Sequence, residues 1–291
     1  MKDAVIVALG RSAIGKAPKG VFRLSRPEDI GAQVLSGVLK QVPQLDARHI
    51  DDVIVGCAFP EAEQGMNLAK IVISKAIPGV DIPGQTVNRF CSSGLQTIAT
   101  AANAIMAGQA EVIIAGGIEL MSTIPMGGNI VAPNPDLIQS QPDAYTAMGI
   151  TAENVAEQYG VTRRMQDEFS MESHRRANAA RTEGKFAQEI IPVEAVTTYV
   201  DETGHTRMGL RTVADSQWAL PPAPQLSPPR QEDMDIIELN EAFAAQSLAC
   251  INTLGLDQKK VNVNGGAIAI GHPLGCTGLQ AQLIFCVQTH K

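Results

Sequence analysis

The sequence has little of what marks several classes of protein. Only 4% of its 291 residues are aromatic, so stacking on bases or sugars is not expected to be its main activity. Lys and Arg total 23 against 30 Asp and Glu, a formal net charge of −7, whereas binders of nucleic acid or anionic membranes need clustered cations. The longest apolar runs, such as 5–9 and 112–115, are too short to cross a bilayer.

Cysteine usage and missing motifs narrow the choice further. Five scattered cysteines, an odd number, argue against a disulfide scaffold and for a reducing compartment. The N-terminus carries no signal-peptide core. No CxxC, HExxH, Walker or GxGxxG pattern occurs, so a metal, ATP or dinucleotide site has no support. We therefore expect a cytoplasmic enzyme without a metal or cofactor, and without a nucleic-acid or membrane partner.

The hydrophobic pattern of the first third alternates short β-rich runs with helical stripes. This pattern predicts a mostly parallel sheet covered by helices, and the segment 4–9 reads as a buried strand. The predicted strands are 4–9, 52–57, 85–88 and 111–116, and the predicted helices are 28–42, 67–76 and 92–107.

The remaining two thirds are less regular. A long loop is predicted over 118–145, then a helix opening at Thr151 and a charged helix over 163–184 with a solvated face. Five of the 17 prolines lie within 221–229, which excludes a central strand or helix interior and indicates an irregular connection. Beyond it we predict strands 235–239 and 260–264, a helix 241–254 and a last helix from about Cys276.

Two segments resemble each other within the chain. Cys91-Ser-Ser-Gly-Leu-Gln96 opens one predicted helix, and Gly275-Cys-Thr-Gly-Leu-Gln280 opens another. Each follows a strand that contains Val and Asn. The shared strand, turn and helix start favour a duplicated βα unit.

Cys91 is the first candidate for chemistry. It stands between strand 85–88 and helix 92–107, where free N–H groups and the helix dipole favour the nucleophilic thiolate. Small neighbours, Ser92, Ser93 and Gly94, leave access for a substrate. A cysteine in such a turn is a nucleophile or, alternatively, a small buried core residue; the context alone leaves both open.

His272 and Asn240 are the next candidates. Glycines flank His272 in Asn264-Gly-Gly-Ala-Ile-Ala-Ile-Gly-His-Pro-Leu-Gly275, which lets its imidazole approach a ligand, take a thiol proton or donate to an oxyanion. Asn240 lies between a predicted strand and a predicted helix, so it is either a functional amide or an ordinary N-cap.

Five motifs make the sequence resemble the thiolase family. They cover about residues 1–205 and 233–283. The motifs are Val87-Asn-Arg-Phe-Cys-Ser-Ser-Gly-Leu-Gln96, Gly116-Gly-Ile-Glu-Leu-Met-Ser122, Met148-Gly-Ile-Thr-Ala-Glu-Asn154, Asn240-Glu-Ala-Phe-Ala244 and the glycine-rich segment that contains His272.

The resemblance implies two similar βαβαβαββ halves in a layered α-β-α arrangement. It also implies an acyltransferase that interconverts acetyl-CoA plus acyl-CoA with 3-oxoacyl-CoA plus CoA through an acyl-Cys91 intermediate. In that chemistry His272 activates Cys91, Asn240 holds a water that completes the oxyanion site, Met148 lines the pantetheine channel, and Gly265 and Gly266 shape the pocket. Acyl-CoA and CoA are then the partners, and a homodimer or homotetramer is implied.

Finer distinctions also rest on the resemblance. Ala147 precedes Met148 where some acetoacetyl-CoA enzymes carry His, which favours the 3-ketoacyl type. A ketoacyl synthase would show a second active-site His in place of the Asn240 motif, and none is present. A non-catalytic acyl-CoA-binding or subunit-interacting protein that kept the fold remains the alternative.

The sequence also departs from the family pattern. We predict an N-terminal half over 1–117, an inserted loop domain over 118–208, a Pro-rich irregular junction over 209–233 and the remnant of a C-terminal half over 234–291. Roughly 80–90 residues of the second half are missing internally, judged by the core that such a half needs. The family's second catalytic cysteine also has no counterpart. We therefore expect an incomplete second half and impaired turnover, with acylation of Cys91 surviving.

Overall fold

The fold was examined in a computed structural model that describes residues 3–215, 235–277 and 284–289, the last of these as a backbone path. No helix in this part of the chain is both long and apolar enough to cross a membrane. The strands are β1 (Ala4–Gly10), β2 (Asp52–Gly56), β3 (Gly84–Val87), β4 (Val112–Gly117), β5 (Val193–Val200), β6 (Thr206–Val213) and β7 (Ile284–Thr289). The α-helices are α1 (Pro27–Leu39), α2 (Leu68–Ala76), α3 (Ser93–Met106), α4 (Pro135–Ser140), α5 (Met148–Gln158), α6 (Arg163–Thr182), α7 (Ala244–Leu254) and α8 (Ala267–Ile270).

A five-stranded sheet organises the first part of the chain, with strand order β1-β7-β4-β2-β3. Strands β2, β3 and β4 run parallel, which confirms the predicted parallel core, and β7 pairs antiparallel with both β1 and β4. All six residues of β4 are buried because this strand is central. Strands β5 and β6 form a separate antiparallel pair. The mixture of helices with a largely parallel sheet is the α/β fold expected from the sequence.

Local sequence signals explain where the helices begin and end. Pro27 opens α1 and is followed by two acidic residues, which suits the free N–H groups and the dipole of a first turn. The side chains of Asn67 and Thr162 cap α2 and α6 by accepting backbone N–H bonds. Helix α7 ends at Gly255, whose φ of 61° is left-handed.

Several predicted elements differ from the structure. Segment 4–9 is a strand, but it lies at a sheet edge and leaves Ile6 51% exposed, so the prediction that it is buried was wrong. The last helix predicted from Cys276 is also wrong: Leu274–Cys276 is a 3-10 turn and residues 284–289 form β7. Apolar runs this short do not separate helix from strand.

The predicted strands 235–239 and 260–264 shrink to one parallel bridge between Ile237 and Val261. The irregular junction predicted over 209–233 begins too early, because residues up to Val213 complete β6. Its proline cluster lies outside the described residues, as do residues 278–280 of the internal repeat.

The described chain forms two compact units. The first comprises residues 3–128, 186–215, 273–277 and 284–289, and contains both sheets with α1, α2 and α3. The second comprises 129–185 and 235–272, where α5, α6 and α7 enclose a small apolar core. These units do not follow the four predicted segments, which stay a prediction about the family's domain organisation.

Candidate active site

Cys91 lies in a 3-10 turn, Phe90–Ser92, between β3 and α3. Phe90 has a φ of 45°, which is a rare conformation for a bulky residue and costs about 1–3 kcal/mol. Two polar side chains hold the turn. Asn88 Oδ1 accepts the Phe90 N–H at 2.9 Å, and Ser93 Oγ accepts the Arg89 N–H at 2.8 Å while donating to Phe90 O at 2.6 Å. The strain therefore persists because the turn is over-determined, and it presents Cys91 at a sharp bend.

The electrostatics of Cys91 differ from the sequence expectation. The thiol is half-buried, and this burial raises its pKa above the ordinary value. A backbone hydrogen bond partly opposes the rise, and the negative charge of Glu119 adds to it. The prediction that the helix start favours a thiolate was therefore wrong, because desolvation outweighs the N–H groups. The thiol form of Cys91 is therefore favoured over the thiolate.

Glu119, just after β4, is a buried carboxylate near this turn. Its Oε2 accepts the N–H groups of Ala58 and Gly275, each at 2.7 Å. Its Oε1 accepts Gln64 Nε2–H at 2.7 Å and the Cys57 thiol at 3.8 Å. The carboxylate thus joins three loops of the first unit.

Asn240 and His272 meet in the second unit. Asn240 Nδ2 lies 3.5 Å from His272 Nε2, a long polar contact. Burial lowers the pKa of His272 to about 4, so its imidazole is neutral at pH 7. Asn240 Oδ1 is buried and has no hydrogen-bond partner among the described residues. The N-cap alternative for Asn240 fails, since α7 begins four residues later, at Ala244, with Phe243 as its N-cap.

Glu241 and Asn262 fix the segment that carries Asn240. Asn262 lies in the left-handed region with a φ of 47° and exchanges two 2.8 Å hydrogen bonds with the backbone of Leu239. Its Nδ2 also donates to Glu241 Oε1 at 2.8 Å. Glu241, 3% exposed, accepts Ser173 Oγ–H at 2.6 Å and Ile268 N–H at 3.2 Å. The residues on both sides of Asn240, Leu239 and Glu241, are therefore fixed by hydrogen bonds.

Gly265 and Gly266 have packing roles in the structure. Gly265 has a φ of 83°, and a Cβ there would lie 2.6 Å from Ala177 Cβ. A Cβ on Gly266 would lie 2.2 Å from the carboxyl carbon of Glu241. The space for a side chain at Gly265 and Gly266 is thus taken up by α6 and Glu241, and their part in shaping a pocket stays a prediction.

Met148 opens α5 and is 49% exposed. A cavity of about 750 Å³ in the second unit lies beside the same helix, at the start of α7. Met148, Asn240 and His272 are not among its lining residues. Those residues are Glu153, Asn154, Ala156, Glu157, Val161, Arg163, Gln166, Asp167, Ser170, Ala242, Phe243, Ala244 and Ile268.

The structure also shows polar residues that sequence reasoning missed. Glu119 and Asn262 were not singled out, although both are polar residues in otherwise apolar, glycine-rich surroundings. Their partners lie 20 or more positions away in sequence, so no local spacing could have found them. Within the described residues no group of three or more His, Cys, Asp or Glu is placed to hold a metal ion.

Two family models match this chain. One, described as the thiolase N-terminal domain, matches residues 4–223, and the other, the thiolase C-terminal domain, matches residues 217–290. The chain is similar to a 3-ketoacyl-CoA thiolase of Bacillus subtilis (strain 168), with 39% identity covering 97% of this chain and 92% of the relative. A 3-ketoacyl-CoA thiolase of Serratia proteamaculans (strain 568) is 35% identical, covering 96% of this chain and 90% of that protein.

The first of these alignments extends over 360 residues, more than the 291 of this chain. It therefore includes positions of the relative that have no counterpart here, while both domains are represented from residue 4 to residue 290. The chain belongs to the thiolase family and is an acyltransferase of the thiolase type.

Proposed function

We propose that this thiolase transfers acyl groups between CoA thioesters through an acyl-Cys91 intermediate, and that its substrates are of the 3-ketoacyl-CoA type. Family membership supports the reaction class, and the printed names of the relatives support the substrate class. The single observation that carries the choice of nucleophile is the strained turn that presents Cys91 between β3 and α3.

In the acylation step the Cys91 sulfur attacks the thioester carbonyl carbon of an acyl-CoA or the 3-oxo carbon of a 3-oxoacyl-CoA. From an acyl-CoA the bond to the CoA sulfur breaks, and CoA leaves with the proton that Cys91 gave up. From a 3-oxoacyl-CoA the C2–C3 bond breaks, and acetyl-CoA leaves once that proton has reached its C2 carbon. The thiol must lose its proton as the C–S bond forms, since burial disfavours the free thiolate. A neutral imidazole can take that proton, and His272 is neutral at pH 7. We assign His272 as the base by the family resemblance, and its neutral form at pH 7 is the form that this role requires.

The negative charge that develops on the carbonyl oxygen needs hydrogen-bond donors. His272, once protonated, is one donor. The buried Oδ1 of Asn240 has an acceptor to spare, so it suits a water whose second hydrogen points at the substrate oxygen. We therefore assign Asn240 to holding that water, and Met148 to the CoA arm by the family resemblance alone.

We also propose that complete turnover is slower than acylation. Cys91, His272 and Asn240 are present for acylation. The B. subtilis alignment, however, includes positions with no counterpart in this chain. The family resemblance implies a second catalytic cysteine for the rest of the reaction, and no counterpart was identified in this sequence. CoA thioesters are substrates here, so no separate cofactor is invoked.

The test compares both stages in one preparation. Intact-mass spectrometry after mixing with acetyl-CoA measures the acyl adduct, and absorbance during incubation of acetoacetyl-CoA with CoA measures turnover. We expect a rapid adduct and slow turnover, with Cys91→Ser losing both. Fast turnover would contradict the impairment, and absence of an adduct in the wild type would favour a non-catalytic acyl-CoA-binding protein.

A further inference from the structure

The buried carboxylate of Glu119 accepts hydrogen bonds from several parts of the chain. It is 5% exposed and accepts three N–H bonds of 2.7 Å from Ala58, Gly275 and Gln64. Removing a charged group with several close donors leaves each donor unpaired. The loops that provide these donors are therefore fixed to one point.

One of these loops leads directly to the nucleophile. Glu119 holds the Ala58 N–H, and the carbonyl of the same residue accepts Asn88 Nδ2–H at 2.9 Å. The Oδ1 of Asn88 then accepts the N–H of Phe90, the strained residue before Cys91. A continuous chain of hydrogen bonds thus runs from the carboxylate to the Cys91 turn.

The second loop is the 3-10 turn Leu274–Cys276, which rests on the glycine ends of two strands. A Cβ on Gly56 would lie 2.5 Å from the Gly275 carbonyl oxygen, and one on Gly117 would lie 2.3 Å from it. The start of α3 also approaches it, since a Cβ on Gly94 would lie 2.5 Å from the carbonyl oxygen of Cys276. Glu119 fastens this turn from the other side through Gly275 N–H.

We propose that Glu119 is a positioning residue for the Cys91 nucleophile, tying the Cys91 turn and the 3-10 turn at Gly275 to one buried point. The inference rests on the proposed function of Cys91. Glu119 acts through Ala58 and Asn88 and is not assigned contact with the substrate. Its amide counterpart could not accept all the N–H bonds that it now receives, because a Gln side chain directs its own N–H₂ at one of them.

The charge of Glu119 has a separate consequence that can be measured. The negative charge of this carboxylate raises the pKa of three thiols: Cys57 after β2, Cys276 on the 3-10 turn, and Cys91 itself. In each case burial is the larger cause of a raised pKa and the Glu119 charge adds to it. Loss of the charge should make Cys91 more reactive, whereas loss of the geometry should make it a poorer nucleophile toward substrate.

Two variants separate these effects. Glu119→Gln removes the charge, and Glu119→Asp keeps it on a shorter side chain that cannot reach all three donors. Glu111→Gln, an exposed carboxylate beside the opposite end of β4, is the matched control. Each protein is assayed for iodoacetamide alkylation of Cys91 by peptide mass as a function of pH, and for acyl-adduct formation with acetyl-CoA. A thermal melt checks that each variant is folded.

For Glu119→Gln we expect faster alkylation at neutral pH and acylation slower by on the order of 10–100-fold. Glu119→Asp should slow acylation with little change in the alkylation profile, and Glu111→Gln should change neither. Acylation within twofold of the wild type in either folded Glu119 variant would overturn the proposal. If Glu119→Gln does not fold, Glu119→Asp decides.

The two proposals fail in different ways. A wild type that forms no acyl adduct, yet shows alkylation that depends on Glu119, contradicts the proposed function of Cys91. A wild type that is acylated normally, with Glu119 variants that match it in both assays, contradicts only the role of Glu119.

Discussion

The Cys91 turn and the segments that carry Asn240 and His272 are fixed by similar hydrogen bonds, but burial shifts the pKa values of Cys91 and His272 in opposite directions. Near each lies a buried glutamate, Glu119 or Glu241, that accepts hydrogen bonds from residues far away in the sequence. Burial raises the pKa of the Cys91 thiol and lowers that of His272 to about 4. At neutral pH the Cys91 thiol therefore keeps its own proton and the His272 imidazole is unprotonated, so neither side chain is charged.

The two regions also differ in where backbone strain lies. Each has one non-glycine residue with left-handed φ, Phe90 at 45° and Asn262 at 47°. Asn tolerates this conformation well, whereas a bulky aromatic residue does not. The backbone strain is thus larger at Phe90, beside Cys91, than at Asn262, which binds the residues on either side of Asn240. The comparison indicates that the strained turn positions Cys91, while the raised pKa keeps its side chain in the thiol form.

The largest expected effect on acylation comes from a substitution of Asn240. Asn240→Ala removes the amide that we assign to the oxyanion water, so acyl-adduct formation should slow by about 10²–10³-fold. Asn178→Ala, on the exposed side of α6, is the matched control. Rates come from quenched-flow mass spectrometry. An Asn240→Ala rate close to that of the control would remove Asn240 from the mechanism.

The pH dependence of stability tests the His272 side. Its folded pKa of about 4 lies below the ordinary 6.5, so the unfolded chain takes up the proton first. This contribution is complete above about pH 6.5 and is lost as the pH falls to about 4. It amounts to up to about 3 kcal/mol of the free energy of unfolding. Urea melts from pH 7 to pH 4 measure it.

Two substitutions isolate this contribution. His272→Gln should flatten the acid limb of the stability curve, because the titrating imidazole is gone. His49→Gln, which changes an exposed histidine, should leave the limb as it is in the wild type. Equal slopes in the wild type and His272→Gln would show that His272 is not buried as described.

The smallest expected effect is a loss of stability when the packing against Glu241 is disturbed. Gly266→Ala places a Cβ 2.2 Å from the Glu241 carboxyl carbon, so the carboxylate must move at a cost of about 1–3 kcal/mol of unfolding free energy. Gly149→Ala is the matched control, since nothing lies within 4 Å of its added Cβ and α5 gains a better helix former. Chemical denaturation measures both. Equal stability in the two variants would contradict the tight packing at Glu241.

The sequence predicted most of the first unit because its signals are local. Alternating strand and helix patterns with clear hydrophobic periods predicted β1–β4 and α1–α3 to within a few residues. Strand β7 was missed, because residues 284–289 become a strand only by pairing between β1 and β4. The exposure of Ile6 was missed for the same reason, since sheet order is not a local property.

The candidate site divides in a similar way. Cys91, Asn240 and His272 could be proposed as candidates because each stands in a distinctive local motif; Asn240 and His272 lie 3.5 Å apart, and the catalytic roles stay predictions. The protonation state of Cys91 could not, because desolvation depends on everything packed around the turn. Glu119 was missed because its three N–H donors come from residues 58, 64 and 275.

The central claim is that Cys91 is the residue that accepts the acyl group, and site mapping tests it most directly. The chain is mixed with isotopically labelled acetyl-CoA, quenched in acid, digested, and each of its five cysteines is assigned by tandem mass spectrometry. The account predicts a thioester label on Cys91, absent from Cys91→Ser, with Cys57, Cys250, Cys276 and Cys286 unlabelled. A label on any other cysteine, or equal labelling of Cys91→Ser, would contradict it.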